Sequence, residues 1–323
     1  MPFKHSAARR HRIPKARYRV QNWPVYEAGL KRRGDLTLWL DEAAIAEWQA
    51  PRRTTPGGQA RYSDAAIELV LVLRLVSHLA LRQAEGFATS VLRLLGQALR
   101  VPDHTTLSRR SRMFVGRQPK AVPHGPLHLL IDSTGLKLYG QGEWDEEKHG
   151  RTHRSWRKLH LAVDAGTGEI VTCLLTDNAA DDAGQLPAML EPIESEIASV
   201  TADGAYDGEP VYRAIASHQP DLRPVVVIPP RSSAVPSTKN TDAPSQRDRH
   251  IQLIAEKGRM AWQRETGYGR RSLAETAVGR YKTIIGPKLR ARLLPAQQGE
   301  AAIAARVLNR MIQVAKPVST RPT

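Results

Sequence analysis

A single cysteine in 323 residues excludes a disulfide framework and a thiolate zinc cluster, which need several. Cys173 stands inside Ile170-Val171-Thr172-Cys173-Leu174-Leu175 and reads as a small buried side chain, as in a chain kept in a reducing cytoplasm. Long apolar runs are missing too. Glu68, Arg74 and His78 interrupt the most hydrophobic stretch, so no segment reads as a membrane span. The amino terminus lacks an apolar signal core. Acids are scarce beside bases, 32 against 48, leaving a formal charge of +16. That imbalance points to a polyanionic partner, nucleic acid ahead of a membrane surface, because Lys and Arg bind phosphates by releasing counterions.

The chain's punctuation suggests segments. Residues 1–20 hold seven Lys or Arg and no acid and read as a basic arm, followed by a short helix over 35–49 with Trp39 and Trp48 packing. The Gly and Pro of 51–59 make a linker. Three helices are expected over 63–80, 82–99 and 105–114, the first capped by Ser63 or Asp64. Thr105, Thr106, Ser108, Arg109 and Arg112 load the third with donors for phosphates and bases, as in a helix-turn-helix whose last helix reads the major groove. The same triple also reads as a bundle serving only folding or dimerisation. Strands are expected over 127–132, 157–164, 169–176, 198–203 and 223–228. Helices are expected over 182–197, 208–218, 248–265, 268–285 and 297–315, with Gly286-Pro287 stopping the fourth.

Two strands end at an acid. Leu129-Leu130-Ile131-Asp132-Ser133 and Val200-Thr201-Ala202-Asp203-Gly204 share the pattern, and ligand crevices of open α/β sheets lie beyond such strand ends. Each Asp alone reads equally well as a turn or helix cap. A third acid, Glu275, sits in Tyr268-x2-Arg271-x3-Glu275-x6-Lys282. At ~100° per residue the four fall within about 60° of one another on a helix, opposite Leu273, Ala277, Tyr281 and Ile284. Arg271 and Glu275 alone would be a solvated i,i+4 pair worth about 0.2–0.5 kcal/mol. Three converging carboxylates repel, and divalent cations with oxygen ligands relieve that cost. Asp164 belongs to a hairpin turn, Asp177, Asp181 and Asp182 look like caps, and Asp207 reads as the cap of the next helix ahead of a support for the site. The basic loop with His149, His153, Lys148, Arg151, Arg154, Arg157 and Lys158 suits DNA-backbone contacts better than a metal site. His160 needs no ligand role, and Trp144 and Trp156 are packing residues or stacking platforms.

Over residues 60–315 these motifs, with Val101-Pro102-Asp103-His104-Thr105-Thr106-Leu107-Ser108-Arg109-Arg110, make the chain resemble the DDE transposases of bacterial insertion sequences, in particular the insertion sequence 5 group. The resemblance implies an α/β fold, a ribonuclease-H-like five-stranded mixed sheet with helices on both faces, preceded by an all-α helix-turn-helix-like domain. The divisions expected are a basic arm and short helical segment (1–59), a helical DNA-binding domain (60–122), the catalytic domain (123–316) and a tail (317–323). It implies that Asp132, Asp203 and Glu275 are catalytic and bind two Mg²⁺ or Mn²⁺ ions, and that Tyr268, Arg271 and Lys282 hold transposon-end DNA. The implied partners are double-stranded terminal inverted repeats, target DNA and further copies of the chain, at the bacterial nucleoid. Residues 229–247 are too few for the large β insertion that some hairpin-forming relatives carry. A structure-specific nuclease on the same fold and a non-catalytic DNA-binding regulator are the competing expectations.

Overall fold

A computed structural model describes residues 18–54, 56–119, 125–138, 156–237 and 244–320. Most of the basic arm, and Trp144, Lys148, His149, Arg151, His153 and Arg154 of the basic loop, lie outside the described residues. The chain divides into two compact units, residues 1–38 with 311–323 and residues 39–310.

In the first unit β1 (Arg19–Val20) pairs antiparallel with β8 (Ser319–Thr320), and α1 (Trp23–Arg33) packs on the chain's carboxyl-terminal segment. A Cβ on Gly29 would lie 2.2 Å from Ala315 Cβ, so only glycine permits that approach. Arg33 donates to the carbonyls of Met311 at 3.1 Å and Ala315 at 2.6 Å, meeting acceptors that a helix end leaves open.

The second unit begins at Trp39, the last residue of the short α2 (Leu36–Trp39), and continues with α3 (Glu42–Ala46) and three helices, α4 (Asp64–Val76), α5 (Leu81–Leu94) and α6 (His104–Arg110). Ser63 caps α4, accepting Ala66 N–H at 3.0 Å. α4 ends short of residue 80 because His78 adopts a left-handed φ of 54°, which a helix does not tolerate. Trp39 and Trp48 are buried as expected, and Trp48 Nε1 donates to Arg100 O at 2.7 Å.

The sheet consists of β2 (Leu127–Leu138), β3 (Trp156–Asp164), β4 (Ile170–Asp177), β5 (Ile197–Thr201), β6 (Val225–Val227) and β7 (Lys288–Leu289). Its order is β4-β3-β2-β5-β6, with β7 also on β2. β3 is antiparallel to β2 and β4, whereas β5, β6 and β7 run parallel. This is the mixed ribonuclease-H-like arrangement, with six strands instead of five because two residues after Gly286-Pro287 add to β2. Leu129 and Ile131 pack against Leu186, Met189, Val211 and Ile215 of α7 (Leu186–Leu190) and α8 (Glu209–His218). Leu130 points to the other face by strand alternation and is buried as well.

That second face meets the carboxyl-terminal helices. α9 (Gln246–Lys257) and α10 (Arg259–Glu265) form where one helix was expected, separated by Gly258 at φ 80°. α11 (Ser272–Arg280) contacts β2 and β3. The final helix is α12 (Leu294–Val314). Asn309 on α12 reaches the edge strand, accepting Ile170 N–H at 2.7 Å and donating to Ile170 O at 2.8 Å, which blunts an exposed ladder edge. Among the described residues no helix is long and apolar enough to cross a membrane.

Cys173 lies mid-strand in β4 with its Sγ 3.6 Å from Ala301 O, and burial pushes its thiol up to about 12. The thiolate is the reactive form. Native protein at pH 8 is therefore expected to resist iodoacetamide, with one cysteine labelled after unfolding in guanidinium, as read by mass spectrometry.

Asp164 has the structural role its turn suggested. It accepts from Thr167 N–H at 2.7 Å, Thr167 Oγ1 at 2.9 Å and His128 N–H at 3.2 Å. Asp207 does not cap α8. Its carboxylate holds Arg247 Nε at 2.7 Å and Arg231 N–H at 2.8 Å, tying α9 to the turn after β5. The expected helix over 182–197 shrinks to α7, since Pro192 lies two residues past its end and Ile197 is already paired with Leu127.

Candidate active site

β2 does not end at Asp132. It runs six residues further, paired with β3 as far as Lys137. What ends there is its other neighbour. β5 matches Leu129 to Val200 and Leu130 to Thr201 and then stops, so Asp132 and Asp203 stand side by side two positions on. β7 resumes the pairing only at Lys137. Between those points one edge of β2 has no strand beside it, and the turn after β5 and α11 approach this opening.

Asp203 caps the 3₁₀ turn Gly204–Tyr206, with Oδ1 accepting Ala205 N–H at 2.9 Å. Its Oδ2 is turned to the opening, 3.6 Å from Arg271 Nη2. One oxygen thus serves as the expected cap, and the other is left facing Arg271. Asp132 Oδ1 accepts Ser133 N–H at 3.0 Å and Arg271 Nη2 at 3.2 Å. Glu275 Oε1 lies 2.7 Å from Arg271 Nη1. One guanidinium therefore touches the carboxylates of all three acids, drawn from β2, the β5 turn and α11.

Burial raises the Asp132 carboxyl above its ordinary value; Arg271 pulls it back, and Asp203 and Glu275 push it up again. Burial works against the charged Arg271, but Asp132, with Asp203 and Glu275 in support, outweighs it and the guanidinium is held more firmly protonated. The charged form is disfavoured at Asp132 and favoured at Arg271 because burial outweighs the single cation at the one, whereas several nearby anions outweigh burial at the other. Among the described residues no three His, Cys, Asp or Glu side chains converge closely enough to ligate one ion, because the guanidinium sits between them.

The signature segment is not one regular helix. Tyr268–Arg271 is a 3₁₀ turn, α11 is α-helical, and Tyr281–Ile285 is a π turn ended by Gly286 at φ 121°. A 3₁₀ turn advances ~120° per residue and a π turn less than an α turn, so the stripe at a uniform 100° drifts. Ala274, Ala277, Tyr281 and Ile285 are buried, whereas Leu273 is exposed. The core face therefore differs from the expected one at Leu273 and Ile284. Lys282 makes no hydrogen bond or ion pair with the three acids or Arg271 among the described residues.

Tyr268 stays beside the site through a chain that its own motif does not reveal. Its ring lies 5.1 Å from that of Trp262, which is fully buried. Trp262 Nε1 donates to His250 Nδ1 at 2.9 Å, and His250 Nε2 donates to Val226 O at 2.7 Å. An indole N–H only donates, so His250 is neutral with its proton on Nε2, and burial lowers its pKa accordingly. β6 thereby positions the signature turn. No local pattern marks His250 or Trp262; the 12-residue spacing joins two helices across a glycine break.

The proposed DNA-facing residues of the helical segment are more varied. Asp103 caps α6, and the backbone N–H groups and hydroxyls of Thr105 and Thr106 all donate to its carboxylate, holding Asp103 well below the usual carboxylate range. Ser108, Arg109 and Arg112 are exposed. Arg157 and Lys158, expected on DNA, are engaged inside the fold with Asp177 and Gln297, and with Asp182 and Ala180 O. His160 is buried against Thr176 Oγ1 at 2.9 Å. Trp156 lies across Gly135, with Lys137 Nζ 5.5 Å from its ring centre.

A family model described as a transposase DDE domain matches residues 123–310, more than half of the chain, and a second of the same description matches residues 31–141. Among solved structures, a cryo-EM structure of a piggyBac transposase synaptic complex with hairpin DNA is similar at 11% identity over 88% of this chain and 75% of that one, with a TM-score of 0.39. That likeness is too slight to bear on function, and the fold rests on the strand order and register above.

Proposed function

Because the chain belongs to the family of transposase DDE domains, we propose that it is an insertion-sequence transposase that binds transposon-end DNA and catalyses metal-dependent strand cleavage and strand transfer. The observation that carries this reading is the convergence of Asp132, Asp203 and Glu275 on a single cationic group. A cradle of hard carboxylate oxygens already holding a positive charge fits Mg²⁺ or Mn²⁺, and the three acids would hold two such ions. When bound, such a pair stabilises the attacking and leaving oxygens of an in-line displacement at phosphorus.

The chain's own side chains supply the setting. Asp132 is the buried wall, fixed by Ser133 N–H. Asp203 offers the oxygen that its cap leaves over, and Glu275 forms the exposed rim where DNA arrives. Arg271 neutralises the three acids; were divalent ions held by them, its guanidinium would be free to face phosphate, joined by Tyr268 and Lys282 on the DNA side. In the first step water bonds to phosphorus, the P–O3′ bond breaks, and O3′ takes a proton. In the second, that 3′-hydroxyl loses its proton, bonds to phosphorus in target DNA and displaces another 3′ oxygen. The helix-turn-helix segment, with Thr105, Thr106, Ser108, Arg109 and Arg112, would hold the terminal repeats, and a homo-oligomer at the nucleoid would bring two ends together.

Purified protein incubated with DNA bearing the element's own ends is the test. With Mg²⁺, ends carrying free 3′-hydroxyls followed by joined products are expected, and neither with EDTA. Cut products without joining make the protein a nuclease; binding without cutting makes it a regulator.

A further inference from the structure

A groove of about 1100 Å³ opens between α4, α5, α6 and the segment leading into α12, and none of the three acids lines it. Six arginines do: Arg74, Arg82, Arg109, Arg112, Arg290 and Arg292. They come from four parts of the chain, so no sequence cluster announces them. One acid lines the groove. Glu300 accepts from the backbone N–H groups of Arg290 and Ala291 at 2.9–3.2 Å, which fixes the segment carrying Arg290 and Arg292 and leaves the groove strongly positive.

Arg74 supplies a second, independent observation. Its residue is only 9% exposed, it lines the groove, and its Nε has no hydrogen-bond partner among the described residues. A buried N–H left unpaired is costly; that Nε is closed to solvent, so an anion in the groove would act on the guanidinium's charge and not by bonding it. Burial lowers the Arg74 pKa; Glu300 resists that and Arg290 adds to it, so an anion in the groove would relieve the strain on its charge. Arg82, Arg109, Arg112 and Arg292 are exposed, and none of their guanidinium groups bonds to another described residue. Arg290 alone is tethered, through Nη1 to Leu79 O at 3.1 Å.

We propose that this groove is a phosphate-binding site for the backbone of duplex DNA, clamped between the helical segment and the link from β7 to α12. The proposal rests on the transposase reading. Planar guanidinium forks match phosphate oxygens, and opposed arginine walls suit a continuous polyanion, which the chain's +16 charge already calls for. α6 is then a wall of the groove. Ser108, Arg109 and Arg112 hold backbone and set register, a different task from reading base edges.

The test is anisotropy of short labelled DNA, duplex or single-stranded and of arbitrary sequence, with the full-length chain in EDTA over a salt series. Arg82→Gln/Arg292→Gln alters two exposed side chains without partners, and its thermal unfolding should match wild type. Its duplex affinity at physiological salt is expected to fall about tenfold or more, and the slope of log affinity against log salt to become shallower by about two. Arg213→Gln/Arg223→Gln removes the same charge from exposed positions outside the groove and should keep the wild-type slope. Wild-type affinity and slope in the groove variant overturn the proposal, as does an equal loss in the control, a loss confined to single strands, or displacement of duplex by polyglutamate in preference to unlabelled duplex. Failure of wild-type protein to bind duplex at all would instead strike the transposase reading, whereas intact binding by both variants removes only the groove.

Discussion

Asp132→Asn is expected to slow end cleavage by at least about a thousandfold while leaving end binding within about twofold of wild type. Metal ions stabilise transition-state charge by several kcal/mol, and at ~1.4 kcal/mol per decade loss of about 4 kcal/mol gives that factor. Asparagine keeps the shape and the oxygen that accepts Ser133 N–H, so the strand geometry survives. It also removes a buried carboxylate whose charged form burial and two neighbouring acids disfavour. Arg271 nevertheless loses its most buried counter-charge, so the variant is expected to give up as much as about 3 kcal/mol yet to stay folded, and thermal unfolding run beside the assay separates lost chemistry from lost fold. Cleavage of an end-labelled duplex, beside anisotropy of the same duplex in EDTA, separates cleavage from end binding. Strand transfer at a wild-type rate by this variant would remove Asp132 from the reaction.

The second large effect concerns Arg271. Its side chain and that of Asp132 are each about 15% exposed, at 15% and 14%, so their pair is largely shielded from solvent. Removing one partner of a buried pair costs roughly 3 kcal/mol or more, since the other charge remains without compensation. Asp203 and Glu275, at 38% and 47%, are screened by water and add little. Arg271→Ala is thus expected to be about 3 kcal/mol less stable than wild type in EDTA and to lose cleavage.

Millimolar Mg²⁺ or Mn²⁺ should then raise its melting temperature more than that of wild type, because the ions no longer displace a resident cation and binding to the folded state alone is stabilising. Arg271→Lys is expected to fall between the two, since an ammonium is a point charge and cannot offer two nitrogens to separate carboxylates. Differential scanning calorimetry with and without metal reads all of this. An Arg271→Ala protein as stable as wild type in EDTA, with no larger metal response, would show that the guanidinium is not the site's counter-charge.

Much of this architecture was legible because its signals are local. Strands β2 to β6 follow from short apolar runs bounded by turn residues, and the Asp164 hairpin and the Gly286 stop follow from residues with special backbone preferences. Helix limits were less legible. The break at Gly258, the early end of α4 at His78 and the 3₁₀ and π turns flanking α11 reflect tertiary packing overriding an average helical period. Asp207 was misread because its partners, Arg231 and Arg247, lie 24 and 40 residues away, beyond any capping pattern.

The sequence by itself singled out the three acids, the signature that accompanies them, and a net charge suited to a polyanion. Tertiary structure alone decided that Arg271 lies among those acids, that His250 and Trp262 brace Tyr268, and that six dispersed arginines share one groove. The physical reason is register: Asp132 meets Asp203 only because Leu130 pairs with Thr201. A slip of one residue would turn the strand's side chains to the opposite face. That pairing is set by the whole buried core, and no window of sequence contains it.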